Sequence, residues 1–365
     1  MPYYKPIKRV KDPVERERIA AKLLALRNQL DAQIPPKTAT ETLLLATWNL
    51  REFGNNRRTE SLHFIAEIIS RFDLIAVQEV ARDLDGLTNL MNYLGPNWDY
   101  IVTDSTEGTA GGGERMAFLY DKNKVMFKNM AGELVLQQTN LIKATNKKKA
   151  IEEQLQFART PFCVAFQAGW FKFNIATVHI YYGTATDTKI EERRLEEIKK
   201  IVAFLAKRSS DEGLSYILLG DFNIPNCKTD YMKALENKKF FVPGAIKEHP
   251  SNLAKSKHYD QIAFNIKLEE GMEIFDKKNQ QAGAFDFSES VYTVDDLPAY
   301  RNYFSPDALI IKDSKTKEMR PKTEDEILKY YMNDYRTFEM SDHLPLWVEL
   351  KIDFSNQYLE NLKIN

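Results

Sequence analysis

Cysteine and histidine are scarce in this 365-residue chain, neither sign of charge dominates, and no apolar run is long enough to cross a bilayer. The two cysteines, Cys163 and Cys227, are far apart and form no CxxC pair. They read as structural thiols of a reducing compartment, with one long-range disulfide as the other arrangement open to them. A formal net charge of −1 supplies no global positive field, so any polyanion binding has to come from a local patch. Basic residues open the chain, but no apolar segment follows them, which argues against a secretory signal and leads us to expect a soluble, cytoplasmic protein. A hydrophobic content of 43% with 28% charged residues is that of an ordinary globular protein, not a disordered or fibrous one. The length allows either several domains or one large α/β unit.

Residues 1–41 read as a helical extension. Asp12-Pro13-Val14-Glu15 forms a capping box with proline at the first helical position. Ile19, Leu23, Leu26 and Leu30 follow at helical spacing until Pro35-Pro36 stops them, predicting one amphipathic helix docked on the main body. From Thr42 short apolar strands alternate with helices. Strands are expected at 43–47, 74–77, 100–103, 116–120, 162–166, 171–178, 216–219, 261–264 and 346–352, and helices near 59–71, 84–94, 189–207 and 229–237. The run 116–120 with 124–128 reads as a hairpin, so the sheet should be mixed rather than all parallel. Three stretches look inserted: a Gly-rich loop at 103–113, a lysine-bearing loop at 140–154 (Lys143, Lys147, Lys148, Lys149), and a polar, partly helical segment at 265–338. The Gly-rich loop lacks the Lys-Ser/Thr of a phosphate-binding P-loop and reads as a linker. Residues 353–365 read as a tail.

Polar groups with metal and proton chemistry sit at the ends of the strand-like runs. Asn49 closes the first, Glu79 the second, His179 follows 171–178, and Asp221 with Asn223 closes 216–219. Met340-Ser341-Asp342-His343-Leu344-Pro345 places an imidazole beside a carboxylate before the last strand. Asn and Asp at strand ends are common turn formers, so any one of these positions is weak evidence; the set is not. Hard divalent cations favour a few carboxylate or amide oxygens, and a buried carboxylate such as Glu79 is costly without a partner. Of five histidines, His63 lies in an amphipathic helix, His249 in a loop, and His258 near Asp260 at a candidate rim. His179 and His343 are left as a pair able to deprotonate an attacking water and protonate a leaving alkoxide. Each needs a carboxylate to fix its tautomer, for which Glu114 and Asp260 are the candidates. Arg51 and Arg159 are candidate phosphate clamps.

In order along residues 42–352, the segments Thr47-Trp48-Asn49-Leu50-Arg51-Glu52-Phe53-Gly54, Val77-Gln78-Glu79-Val80, Glu114-Arg115, Arg159-Thr160-Pro161 followed by His179, Gly220-Asp221-Phe222-Asn223, Tyr259-Asp260-Gln261-Ile262 and Ser341-Asp342-His343-Leu344-Pro345 resemble those of the endonuclease/exonuclease/phosphatase superfamily, and look most like its deoxyribonuclease I branch. Each tetrapeptide alone is weak, and seven in order are specific. The resemblance implies a four-layer α/β sandwich, two mixed β-sheets packed face to face and flanked by helices, with the site at one edge. It implies Mg²⁺ as cofactor, with Mn²⁺ or Ca²⁺ as alternatives, held by Asn49, Glu79, Asp221 and Asp342. It also implies catalytic roles for His179, His343, Glu114, Asp260, Asp221 and Asn223. The sequence departs from that branch at Gly112, where an aromatic usually stands, and at Gln261, where an arginine does.

The leading expectation is therefore a metal-dependent phosphodiesterase, an endonuclease acting on DNA and by extension RNA, with a nucleic-acid substrate and no obligate protein partner. The second keeps the chemistry and changes the substrate to a phospholipid, sphingomyelin-like or inositol phosphate headgroup. Phe240-Phe241-Val242 is the one apolar patch comparable with a membrane-contacting hairpin, and it reads better as a core strand. A scaffold that kept the fold and lost catalysis is least consistent with a full polar set. Lys143, Lys147–Lys149, Lys255 and Lys257 are the local basic compensation for a nucleic-acid strand.

Overall fold

Strand β1 (Thr42–Phe53) shows how the chain builds its layers. Leu43 and Leu45 point into one apolar cluster, while Leu44, Ala46 and Trp48 point into another, and all five are fully buried. An alternation that is apolar on both faces requires cover on both faces. The computed structural model describes residues 2–106, 112–146, 151–183, 188–269, 272–275, 281–314 and 316–364, with 144–146, 151–153, 188–191 and 364 given by their backbone.

β1 runs parallel to β2 (Leu74–Val80), which pairs antiparallel with β4 (Arg115–Asp121), itself beside β3 (Trp98–Val102). On the other side of β1 lies β15 (Leu346–Lys351), antiparallel, and then the short edge strand β12 (Ala282–Ala284). The second sheet has the order β11 (Asp260–Asn265), β10 (Ser215–Asp221), β9 (Phe171–His179), β8 (Phe162–Ala168), β5 (Val125–Glu133), with β9 and β10 parallel. Two small hairpins stand apart, β6 (Ile142–Asn146) with β7 (Ile151–Leu155), and β13 (Ile310–Lys312) with β14 (Met319–Pro321). Leu43, Leu74 and Phe118 of the first sheet meet Phe166, Phe173 and Ile175 of the second in one shared core. Helices α1 (Pro13–Gln33), α2 (Thr59–Ile69) and α3 (Asp85–Leu94) cover the outer face of the first sheet. Helix α4 (Thr188–Glu212) covers the second through Ile198, Ile201, Val202 and Leu205. This is the four-layer α/β sandwich of two mixed sheets that the resemblance implies.

The expected 116–120/124–128 hairpin does not form. β4 already has β2 and β3 on its two sides, so no edge is free, and the turn after Asp121 carries the chain across to β5 in the other sheet. Lys124 anchors that crossing on the Asp73 carboxylate (2.8 Å) and the Thr38 carbonyl (2.7 Å). The N-terminal helix starts as read: the Asp12 carboxylate accepts from the Val14 N–H at 2.9 Å. Glu15, however, turns to Arg58 instead of closing the capping box.

The polar-looking segment after residue 265 conceals an aromatic nucleus. Tyr292 and Tyr300 stack at 4.5 Å, Phe304 and Tyr335 meet at 4.8 Å, and Tyr292, Tyr300 and Tyr331 are fully buried. α1 is fastened to it by Lys22–Asp296 (2.7 Å) and by Gln29 donating to the Asp286 carbonyl (2.8 Å). Residues after β15 form a further helix, α5 (Ser355–Ile364), with Tyr358 against Trp170. Phe240 and Val242 are buried, and Phe241 makes one bridge to Phe264 rather than a strand. Lys147–Lys149 and residues 107–111 lie outside the described residues. Among the described residues no helix is long and apolar enough to cross a membrane.

His63 is fully buried in α2 with its ring stacked 4.2 Å from Tyr93. Burial holds its pKa down at about 4, below the ordinary 6.5. As pH falls below 6.5 the unfolded chain takes up the proton first, so stability is complete above that value and declines as pH falls, the loss reaching roughly 3 kcal/mol only below pH 4, where the folded state takes up the proton as well. His63→Phe should therefore flatten the fall in melting temperature between pH 7.5 and pH 4.5. An unchanged acid dependence in thermal unfolding followed by circular dichroism would contradict this.

Candidate active site

The register of the second sheet brings three polar residues into one row. Asp221 at the end of β10 is directly opposite His179 of β9 and Asp260 of β11. Gly220, one residue earlier, makes the row possible. Its φ is +129°, and a Cβ there would lie 2.1 Å from the Val178 carbonyl oxygen of β9. Only glycine fits that approach. The first sheet supplies Asn49 from β1 and Glu79 from the irregular end of β2, where φ is +60°.

These groups converge. The Asn49 amide nitrogen donates to the Glu79 carboxylate at 2.8 Å and to Asp221 Oδ2 at 3.1 Å, joining the two sheets. Its amide oxygen accepts from the Arg51 N–H at 2.9 Å, so as placed Asn49 holds the carboxylates rather than offering them its oxygen. The Glu52 N–H donates to the other Glu79 oxygen (2.8 Å). The two imidazoles flank Asp221. His179 Nε2 is 3.7 Å from Asp221 Oδ2 and 3.9 Å from Glu79, while its Nδ1 faces Glu114 at 3.2 Å. His343 Nε2 is 3.8 Å from the same Asp221 oxygen, and its Nδ1 lies 2.7 Å from Asp260. Glu114 also pairs with Arg159. Asn223, in the left-handed region at φ +54°, donates its backbone N–H to Asp221 Oδ1 (2.8 Å) and its side chain to the Ile180 carbonyl (2.7 Å).

Two predicted residues stand apart from these contacts, although the Asp342 charge is near enough to help raise His343. Asp342 is exposed, and its carboxylate belongs to neither cluster of ligand atoms. Arg51 points its guanidinium at the Thr337 hydroxyl. His258 is half-buried beside the row, its carbonyl accepting from Gln261 at 3.0 Å. Several supporting residues were not singled out from sequence. The Ser341 hydroxyl donates to the Asn49 carbonyl (2.6 Å) and accepts the His343 N–H (2.9 Å), and Trp48 Nε1 donates to the His343 carbonyl (2.9 Å). The Ser251 hydroxyl accepts from the Asp260 N–H (2.8 Å). Only Ser341, two residues before His343, carried a local signal.

Burial pushes the Asp221 carboxyl up, but His343, His179 and the hydrogen bonds from Asn223 and Asn49 outweigh it and leave it below the usual carboxylate range. Glu79 is held down against burial by His179, Asn49 and the Glu52 N–H. Burial and the nearby Arg159 depress His179. Burial alone would depress His343, yet Asp260 and Asp221 lift it to about 10. Asp260 is raised, chiefly by burial.

The donor set fits a hard divalent cation. Ligand atoms of Glu79, Glu114 and His179 lie within 4.8 Å of one another, as do those of Asp221, Asp260 and His343. Four carboxylates thus meet in a small volume where Arg159 is the one guanidinium brought in by an ion pair among the described residues. Carboxylates outnumber the cationic groups beside them, which favours a bound cation, and the oxygen-rich donors suit Mg²⁺, Mn²⁺ or Ca²⁺.

Residues 46–265 match the Endonuclease/Exonuclease/phosphatase family, and the chain belongs to that family. It is thereby a hydrolase of phosphoester bonds. A search of curated proteins found no match. Among solved structures, the chain is similar to an endonuclease/exonuclease/phosphatase family protein from Bacteroides thetaiotaomicron, with 18% identity, a TM-score of 0.51, and coverage of 86% of this chain and 99% of that one. It is also similar to a mannosyl-6-phosphatase from the same organism, with 17% identity, a TM-score of 0.51, and coverage of 84% and 99%. At these identities the likeness establishes the fold.

Gly220→Ala should force β9 and β10 apart beside Asp221. We expect a fall in melting temperature together with loss of hydrolysis, measured on the same preparation. Full activity in this variant would show that the close approach at Val178 is not needed.

Proposed function

We propose that the chain is a divalent-metal-dependent phosphodiesterase, with a nucleic-acid strand as its first candidate substrate and endonucleolytic cleavage as its reaction. The supporting observation is that His179 and His343 aim Nε2 at one Asp221 oxygen, from 3.7 and 3.8 Å, while a separate carboxylate holds each Nδ1. Cleaving a phosphodiester needs one group to take a proton from water and another to give one to the departing alkoxide, and two oriented imidazoles can share that work. Glu114 and Asp260 fix the tautomers, and Asp221 lies between the two rings. Arg159, held on Glu114, is the guanidinium nearest the proton-transfer groups and is the candidate phosphate clamp. When bound on Glu79 and Asp221, a cation would neutralise charge on the phosphoryl oxygens.

A second reading, a small phosphate ester such as a sugar phosphate or headgroup, has one observation in its favour. Lys255, expected to help a polyanion, is paired with Asp286 at 2.7 Å and Glu289 at 3.6 Å. The similar mannosyl-6-phosphatase is consistent with that reading.

A panel of plasmid DNA, RNA, mannose 6-phosphate, sphingomyelin and inositol phosphates, each with Mg²⁺ and with EDTA, separates the two. The polymer reading expects plasmid nicking that EDTA abolishes and whose binding weakens steeply with salt. Turnover confined to the small esters would replace it with the second reading. For whichever substrate is cleaved, His179→Ala and His343→Ala should each lower kcat by about 10²–10⁴-fold. Wild-type rates in both variants would remove the imidazoles from the mechanism.

A further inference from the structure

Glu197 of α4 is a carboxylate with no exposed surface, on the outer side of the second sheet and outside the set gathered around Asp221. It accepts from two backbone N–H groups belonging to different parts of the site: Ala158, adjacent to Arg159, at 3.1 Å, and Tyr181, two residues past His179, at 3.2 Å. Arg193 supplies its counter-charge at 3.1 Å. Three residues earlier on the same helix, Arg194 donates to the carbonyls of Tyr181 (3.2 Å), Asn223 (3.0 Å) and Tyr182. Its guanidinium lies 5.3 Å from the centroids of the Tyr182 and Tyr231 rings, which restrict where it can go.

A buried carboxylate is costly unless its oxygens are well satisfied, and loops are satisfied far more cheaply by neutral groups or water. What the charge provides here is direction. The two oxygens of one rigid carboxyl group fix the distance between the segment carrying Arg159 and the segment following His179. The guanidinium fixes the latter against the turn that follows Asp221. Charge-assisted hydrogen bonds to backbone are the stronger kind and leave little freedom.

We propose that Glu197 and Arg194 are positioning residues that lock the Arg159, His179 and Asp221–Asn223 segments into one rigid unit, so that helix α4 sets the spacing of the groups on which the proposed hydrolysis rests. Neither residue touches substrate. Their effect passes through the segments they hold, and a misplacement of about 1 Å at reacting groups can cost about 10²-fold in rate.

The test is a double-mutant cycle on the full chain with Mg²⁺, using whichever panel substrate the wild type cleaves. Rates for Glu197→Gln, Arg159→Lys and the pair together are normalised to the folded fraction measured by circular dichroism. We expect Glu197→Gln to lower kcat about 10–100-fold with little change in KM. The pair should lose little more than the worse single variant, because the two changes damage one unit. If Glu197→Gln does not fold, Arg194→Lys takes its place in the same cycle. A loss explained by the folded fraction alone, or losses that multiply in the pair, would overturn the inference while leaving the hydrolase reading intact. A wild type that cleaves nothing on the panel would instead count against that reading.

Discussion

Everything at the site depends on one buried carboxylate, Asp221, being charged and shared. It sits in a central strand of the second sheet, with the imidazole-bearing end of β9 on one side and the Asp260 end of β11 on the other. Each of its oxygens has a donor, Asn223 on one and Asn49 on the other. A buried charge of this kind is tolerated only where its surroundings are arranged around it. The left-handed turn at Asn223 and the glycine before Asp221 are parts of that arrangement, and each is a local departure from ideal strand geometry that the chemistry requires.

The site belongs to neither sheet alone. Asn49 and Glu79 come from the first, His179, Asp221 and Asp260 from the second, and His343 from the chain entering β15. Beneath them, Gln78 reaches across the interior to Thr177 (2.9 Å) and back to Thr47 (3.1 Å), a polar tie within an otherwise apolar inter-sheet core. These ties fix the lateral offset of two surfaces that packing alone would allow to slide, since apolar contact is not directional.

The strands that carry the site were legible because each is a short apolar run ended by a polar residue, and the polar ends fall in the family's order. Other features turn on what lies across from a residue rather than beside it. Whether 116–120 pairs with 124–128 depends on a free edge, and the runs themselves do not show that β2 and β3 already occupy both. The aromatic nucleus of Tyr292, Tyr300, Phe304, Tyr331 and Tyr335 has no regular spacing, so its segment read as polar. Asp342 illustrates the finer limit. In an extended stretch alternate residues face opposite ways, and with Ser341 and His343 turned inward, the residue between them faces solvent. Glu197 carries no local signal in the sequence, because the N–H groups it satisfies lie 16 and 39 residues away.

The pairing of β1 with β15 has a consequence for how the molecule comes into being. Thr42 sits opposite Lys351, so the strand that opens the sandwich gains β2 early but waits until residues 346–351 are made for its second neighbour. The second sheet, by contrast, has all of its strands once residue 265 has been made. Loop closure over such a span is entropically slow, and during synthesis the N-terminal half emerges first. In the growing chain Asn49, Glu79, His179 and Asp221 are therefore made well before His343, so the proposed catalytic set is completed only after both sheets have most of their strands.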